Sequence, residues 1–306
     1  MSSPIRFGIQ TPIEGTTFEA LARHWQAAET LGYDTIWLDD HFYGVVAPPQ
    51  ADSPECWVLM SALARETSRI RFGTLVGCNS YRQPSLVAKM ASTLDHISNG
   101  RLEFGIGAGW FEQEYLGYGF DFPSIRTRLE QLAEGLEIFR RMWTEERASF
   151  EGKHYRLHQA WCNPKPVQQP YPPIMIGGGG EKVLLRLVAQ YADRWNFGGS
   201  VDEFRLKLPI LEAHCRDVGR DFGHIEKSWF GTIIIEENEA NLERRLAKRG
   251  GRADLIPGIV GTPEQVAERL RQYIAIGVTH FIAMFGRVER LGATELFARE
   301  VIPALR

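Results

Sequence analysis

Strand-like and helix-like segments alternate along this chain eight times, from its first residues to its last, and no other feature narrows its fold as far. The clearest unit is Ile70–Tyr118. Ile70-Arg71-Phe72-Gly73-Thr74-Leu75-Val76 is a short apolar run with a β-branched tail, bounded by Gly77-Cys78-Asn79-Ser80. After Pro84, residues Leu86, Val87, Met90, Leu94 and Ile97 recur at helical spacing, and Gly100 is placed as a stop. Leu102–Gly107 is the next strand and runs straight into Ala108-Gly109-Trp110. Right-handed crossover between two parallel strands puts both C-terminal ends on one side of the sheet. Asn79, Ser80, Tyr81, Gly107, Gly109 and Trp110 therefore share one rim.

The remaining strands are expected at Arg6–Gln10, Thr35–Asp40, Ile174–Ile176, Arg194–Phe197, Lys227–Ile235 and Thr279–Phe285. Helices are expected at Thr17–Leu31, Pro54–Glu66, Ser124–Trp143, Glu181–Tyr191, Val201–Val218, Pro263–Ile276 and Ala293–Ala304. Eight strands in strict alternation favour a (β/α)8 TIM barrel over an open doubly wound sheet, and 306 residues suit one such domain with insertions, spanning 1–306. The insertions are a hairpin near 148–163 and a charged helical segment near 237–256. Pro164–Pro173, with five prolines in ten residues, can form neither a helix nor a central strand and reads as a connector.

A formal charge of −3 gives no reason to expect nucleic acid as a partner, and no apolar run reaches membrane-spanning length. The N-terminus lacks the apolar core of a signal peptide, and the four scattered cysteines read as reduced thiols in a cytoplasmic protein. None of their spacings is of a metal-binding type.

Three clusters at predicted strand ends could carry chemistry. Ile176-Gly177-Gly178-Gly179-Gly180 lies between a strand and a helix N-terminus, where backbone N–H groups and the helix dipole suit a phosphate. A tight turn is the bland alternative, but four consecutive glycines make the chain costly to order. Gly105-Ile106-Gly107-Ala108-Gly109 could admit a flat ligand or simply allow close strand-to-helix packing. Asp39-Asp40-His41 ends the second strand. A histidine after acidic residues can titrate near neutrality and move a proton; a solvated, capped strand end is the other reading. Trp110 and Trp195 stand at or near strand ends, where a ring could flank a planar cofactor. Trp25, Trp57 and Trp143 read as core, and His24 and His96 as surface or packing residues.

Asp40-His41-Phe42, Gly73–Val76, Tyr81-Arg82-Gln83-Pro84, Ala88-Lys89-Met90, Thr93-Leu94-Asp95, Ser98–Arg101, Gly105–Trp110, Ile174–Lys182 and Tyr191–Asn196 together resemble the luciferase-like flavin/deazaflavin oxidoreductase superfamily. Within it the pattern resembles the branch that depends on coenzyme F420 rather than bacterial luciferase itself. The resemblance covers nearly the whole chain. It implies a TIM barrel with the cofactor ring at the C-terminal mouth and its phosphate at Gly177–Gly180. It also implies a non-proline cis peptide in a bulge behind the ring, at Leu75–Val76 or Val76–Gly77. Asp40 and His41 match the acidic and histidine pair beside the ring, with His41 as acid or base. Leu75, Val76, Gly77, Asn79 and the Gly107-Ala108-Gly109-Trp110 loop match cofactor-contacting positions, as does Ile176 with the glycine loop. Glu114 falls where a polar contact to the cofactor side chain sits. Members that oxidise glucose 6-phosphate carry a Trp and a Glu where this chain has Val45 or Val46 and Trp110, so the resemblance does not extend to a sugar phosphate.

The expectation is thus an F420-dependent oxidoreductase acting on a small organic molecule, assembled as a homodimer. The alternative is an FMN-dependent monooxygenase served by a separate flavin reductase, with Val45–Ser53 or Glu237–Ile256 as the lid that such chemistry requires. A phosphate-binding barrel aldolase or isomerase would want a lysine inside the barrel, and the predicted strands supply none facing inward.

Overall fold

The structure is a computed structural model that describes residues 4–45, 47–247 and 258–306. Its strands are β1 (Arg6–Thr11), β2 (Thr35–Leu38), β3 (Arg71–Thr74), β4 (Gly77–Cys78), β5 (Leu102–Gly107), β6 (Arg147–Glu151), β7 (Arg156–Trp161), β8 (Ile174–Gly177), β9 (Arg194–Phe197), β10 (Glu226–Ile235), β11 (Gly258–Gly261) and β12 (Val278–Met284). Eight parallel positions close on themselves in the order β1, β2, β3, β5, β8, β9, β10, β12 and back to β1. This is the expected TIM barrel. β6 and β7 pair antiparallel as the expected hairpin, and β11 extends the C-terminal half of β10.

Helix boundaries follow local chemistry. The Thr17 side chain caps Phe18–Thr30 by accepting from the Ala20 N–H, and Ser124 caps Ile125–Thr144 through Thr127. Ser200 and Glu203 form a reciprocal capping box ahead of Val201–Asp217. Pro84 opens the helix Pro84–Ile97, and Asn99 and Gly100, at φ +55° and +80°, turn the chain out of it. The closing helix is interrupted by a π turn at Phe297–Val301, next to Pro303, which has no N–H to donate. Of the charged segment expected near 237–256, Glu239–Ala247 is helical, and 248–256 lie outside the described residues, as does Val46.

The main core lies between barrel and helices and includes Trp25, Trp57 and Trp143, as expected, together with Phe104 and Phe139. A small separate cluster of Trp37, Met175 and Ile282 is packed by Leu75 and Phe230 inside the barrel. Below it, Trp37 Nε1 donates to Thr35 Oγ1, which also bonds His280 Nε2, both at 2.8 Å. At the N-terminal end Glu103, with no exposed side-chain surface, meets Arg6, Arg71 and Arg194, while Glu226 meets Arg6 at 2.9 Å and Arg194 at 2.6 Å. The barrel is closed by charge at its N-terminal end and by apolar side chains in the middle, so the space that opens at the C-terminal mouth does not run through the barrel.

One strand departs from the sequence reading. Ile70–Val76 is expected as a single strand, yet pairing with β5 stops at Gly73 opposite Glu103 and resumes at Gly77 opposite Ile106. Four steps on one strand oppose three on the other, which is a bulge of one residue. The extra length falls at Leu75–Val76, whose peptide bond is cis.

Candidate active site

At the C-terminal mouth lies a cavity of about 290 Å³, lined by Asp40, His41, Leu75, Val76, Gly77, Cys78, Tyr81, Gly109, Trp110, Phe111, Gly177, Gly178, Asn196, Phe197, Gly198 and Phe230. Nine of these positions, from Asp40 to Gly178, are ones the sequence singled out for the site. The cluster with Trp37 beneath Leu75 and Phe230 forms its floor.

The bulge shapes one wall. A Cβ on Gly177 would lie 2.9 Å from Val76 Cγ1, and one on Gly107 would lie 2.8 Å from Val76 Cγ2. These glycines therefore leave room for the Val76 side chain, and Gly107 itself lies behind it rather than on the cavity surface. Gly178 lines the cavity at φ +125°, a conformation that side-chain-bearing residues rarely adopt, and Trp195 Nε1 donates to its carbonyl at 2.8 Å. Trp195 is wholly buried, so it holds the glycine loop in place and flanks no open space. Gly179 and Gly180 continue along the loop outside the cavity. Lys207, which the sequence reading passed over because it sits among ordinary helix residues, packs its Cε 3.1 Å from where a Gly179 Cβ would be. Its ammonium pairs with Glu181 at 3.0 Å.

His41 follows β2 and faces the cavity, with the Trp110 and Phe111 rings edge-on at 5.7 and 5.9 Å. Its Nδ1 lies 2.8 Å from Glu114 Oε2. Glu114 sits on the short helix Glu112–Gly117, which was too short to be read from sequence. It has no exposed surface, so the expected contact with a cofactor side chain is not available to it. Instead its carboxylate accepts from the Phe42 and Tyr43 N–H groups at 2.6 and 3.1 Å and from the Tyr81 hydroxyl at 2.6 Å. Burial works against the charge on His41, but the Glu114 bond together with the charges of Glu114, Asp39 and Asp40 outweighs it and lifts the imidazole above its ordinary range. Burial likewise opposes the Glu114 charge, and the bonds from His41 and Tyr81 overcome it and hold the carboxyl below its ordinary range.

Asp40 faces the cavity with its charge already matched: Arg82 forks onto both oxygens at 2.8 and 2.9 Å, and the Cys78 N–H adds a third bond at 3.0 Å. Among the described residues Asp39 has no such partner. Burial, with His41 opposing and Glu14 adding to it, pushes its carboxyl up to about 7. Burial also pushes the Cys78 thiol up to about 11 despite the Tyr115 hydroxyl at 3.1 Å, so it stays a thiol at neutral pH. Asn79, Ala108 and Ile176 do not line the cavity: Asn79 donates to the Tyr155 hydroxyl, the Ala108 carbonyl accepts from Tyr115, and Ile176 is in the main core. Phe111, Asn196, Phe197, Gly198 and Phe230 join the site without having been named for it from sequence, while Tyr81, placed on the rim from sequence, does line it. The loop Val45–Ser53, considered as a lid, is tied down: Glu14 accepts from the Val45 and Ala47 N–H groups at 2.5 and 2.7 Å, and Ser53 donates to the His41 carbonyl.

No helix among the described residues is long and apolar enough to cross a membrane. The family described as luciferase-like monooxygenase matches residues 1–256. An F420-dependent glucose-6-phosphate dehydrogenase of Segniliparus rotundus is 27% identical, across 100% of this chain and 99% of that protein. The barrel superposes on an F420-dependent secondary alcohol dehydrogenase solved with an F420–acetone adduct, with a TM-score of 0.85 at 20% identity over 99% of this chain and 100% of that one. It also superposes on the long-chain alkane monooxygenase LadA, with a TM-score of 0.83 at 17% identity over 100% and 92%.

Proposed function

The chain belongs to the luciferase-like monooxygenase family, and from that premise we propose that it is an F420-dependent oxidoreductase acting on a small organic alcohol or carbonyl compound. The observation that carries the reading is His41. It is the titratable ring on the cavity wall, with one nitrogen bonded to a buried carboxylate and the other left for whatever occupies the cavity. The end-to-end likeness to an F420-dependent dehydrogenase supports the choice of cofactor.

The residues present fit a flat ring carrying a phosphorylated side chain. Leu75, Val76, Phe197 and Phe230 give the cavity apolar walls, and the missing side chains of Gly177 and Gly178 open one end of it. Beyond that end, Gly179, Gly180 and the Lys207 ammonium supply backbone donors and positive charge for a phosphate. When bound, the deazaflavin supplies the carbon that takes or gives the hydride. The chain does the rest. His41 Nε2 accepts the proton of a substrate hydroxyl as it is oxidised, or returns one to a carbonyl oxygen, and Nδ1 keeps its bond to Glu114 throughout. Trp110, Phe111 and Tyr81 line the cavity around that exchange.

Fluorescence titration of the purified protein with F420 and, separately, with FMN tests the proposal. Tight binding of F420 supports it and directs the substrate search to alcohols and ketones. Tight binding of FMN alone overturns it in favour of a monooxygenase, to be followed by oxygen consumption with a flavin reductase.

A further inference from the structure

We infer that Glu114 is a positioning residue that locks the tautomer of His41 and sets its basicity, and that Tyr81 tempers Glu114 in turn. The inference deepens the proposed function, because it concerns the same histidine.

The Glu114 carboxylate is enclosed by four hydrogen bonds. Oε1 accepts from the Phe42 and Tyr43 N–H groups, which can only donate. Oε2 is shared between His41 Nδ1 at 2.8 Å and the Tyr81 hydroxyl at 2.6 Å. Oε1 is taken by two obligate donors and the carboxyl is held below its ordinary range, so at neutral pH Glu114 is ionised and only accepts. The proton between Glu114 and His41 therefore resides on Nδ1. Neutral His41 is held as the Nδ1–H tautomer, and its Nε2 lone pair is directed away from Glu114, toward the cavity that His41 lines.

The other charged groups around His41 do not replace this role. Asp40 is neutralised by Arg82, which Glu55 also engages. Asp39 and Glu14 belong to the strand ends below the ring, and Asp39 makes no bond to His41. Among the charged groups of the described residues, Glu114 is the one hydrogen-bonded to the imidazole; it comes from a different βα loop, and Tyr81, which bonds Glu114, from a third. Tyr81 acts on the opposite side of the balance. Its hydroxyl draws charge from the same oxygen that His41 uses, so it weakens Glu114 as a partner for the imidazolium.

Substitutions at the two positions should accordingly move His41 in opposite directions. NMR titration of the His41 ring in the full-length, cofactor-free protein reads this directly, with the signal assigned by its loss in His41→Gln. Glu114→Gln is expected to lower the His41 midpoint by one pH unit or more. Tyr81→Phe, which keeps the ring in the wall, is expected to raise it by a few tenths. A midpoint unmoved by Glu114→Gln, or lowered by Tyr81→Phe, overturns the inference. If Glu114→Gln does not fold, Tyr81→Phe decides alone: a rise supports the inference, and a fall or no change defeats it. Because the measurement needs no cofactor, it stands whether the protein takes F420 or FMN. In the F420-loaded enzyme, the pH profile of kcat/KM should shift in step with the NMR midpoints.

Discussion

Val76 occupies the space that a side chain on Gly177 would need: the Cβ of an alanine there would lie 2.9 Å from Val76 Cγ1. The bulge that carries Val76 and the strand end that carries Gly177 come from different repeats, so the contact fixes how far apart the two walls of the cavity stand. Gly177→Ala should push Val76 into the cavity and weaken F420 binding by tenfold or more. The double variant Gly177→Ala/Val76→Ala should recover most of that loss. Titration of both with F420 checks the pair, and an additive loss in the double variant would contradict the packing argument.

His41→Gln removes the group that exchanges a proton at Nε2 while keeping polar volume in the wall. The expected result is a fall in kcat of about 10²–10⁴-fold, the range for loss of a general acid–base, with the Kd for F420 within about threefold of the parent. In the parent, alcohol oxidation needs His41 neutral. Its raised pKa therefore predicts that kcat/KM for oxidation climbs with pH through a midpoint above the ordinary histidine value of about 6.5. Carbonyl reduction, which needs the imidazolium, should climb as pH falls through the same midpoint.

Lys207→Met tests the charge beside the glycine loop. Removing the ammonium should weaken F420 by roughly five- to twentyfold and flatten the salt dependence of its binding, because the positive charge proposed to stand beside the cofactor phosphate is gone. A riboflavin analogue without phosphate should bind the variant and the parent alike.

Asp39 makes a prediction about stability. Its carboxyl is raised to about 7 in the fold from an ordinary value of 3.8, so the folded chain holds the proton more tightly than the unfolded chain. A raised acid makes the fold progressively less stable as pH climbs from about 4 toward 7, with no further loss above that. Asp39→Asn removes the titration. Its melting temperature should match the parent near pH 4 and exceed it by several degrees at pH 8, as read by calorimetry at both ends.

Much of this architecture was legible in the residues. Periodicity and capping residues marked Phe18–Thr30, Pro84–Ile97 and Val201–Asp217 because those signals are local. The glycine runs were visible too, and Gly177 and Gly178 do line the cavity. What Gly107 accommodates was not visible: the atom that fills its space belongs to Val76, brought there by a bulge that no spacing rule reveals. The partnership of His41 with Glu114 spans 73 positions and depends on a six-residue helix whose pattern is too short to register. Trp195 looked like a cofactor wall because its strand end points to the mouth, yet alternation turns its side chain toward the helices. Sequence periodicity reports which face of an element is buried, and the contacts that finish a site are made between elements distant in the chain.

The charged plug at the far end of the barrel bears on how the chain can be divided. Arg6 reaches Glu226 and Arg194 reaches Glu103, so each of these pairs joins the first half of the barrel to the second. A fragment ending after β5 would carry Glu103 without Arg194, and the complementary fragment would carry Glu226 without Arg6. Glu103 would keep Arg6 and Arg71, and Glu226 would keep Arg194, but each half would lose the ion pair that ties it to the other. A split version should gain its ordered state only when both pieces are present together, as a complementation pair.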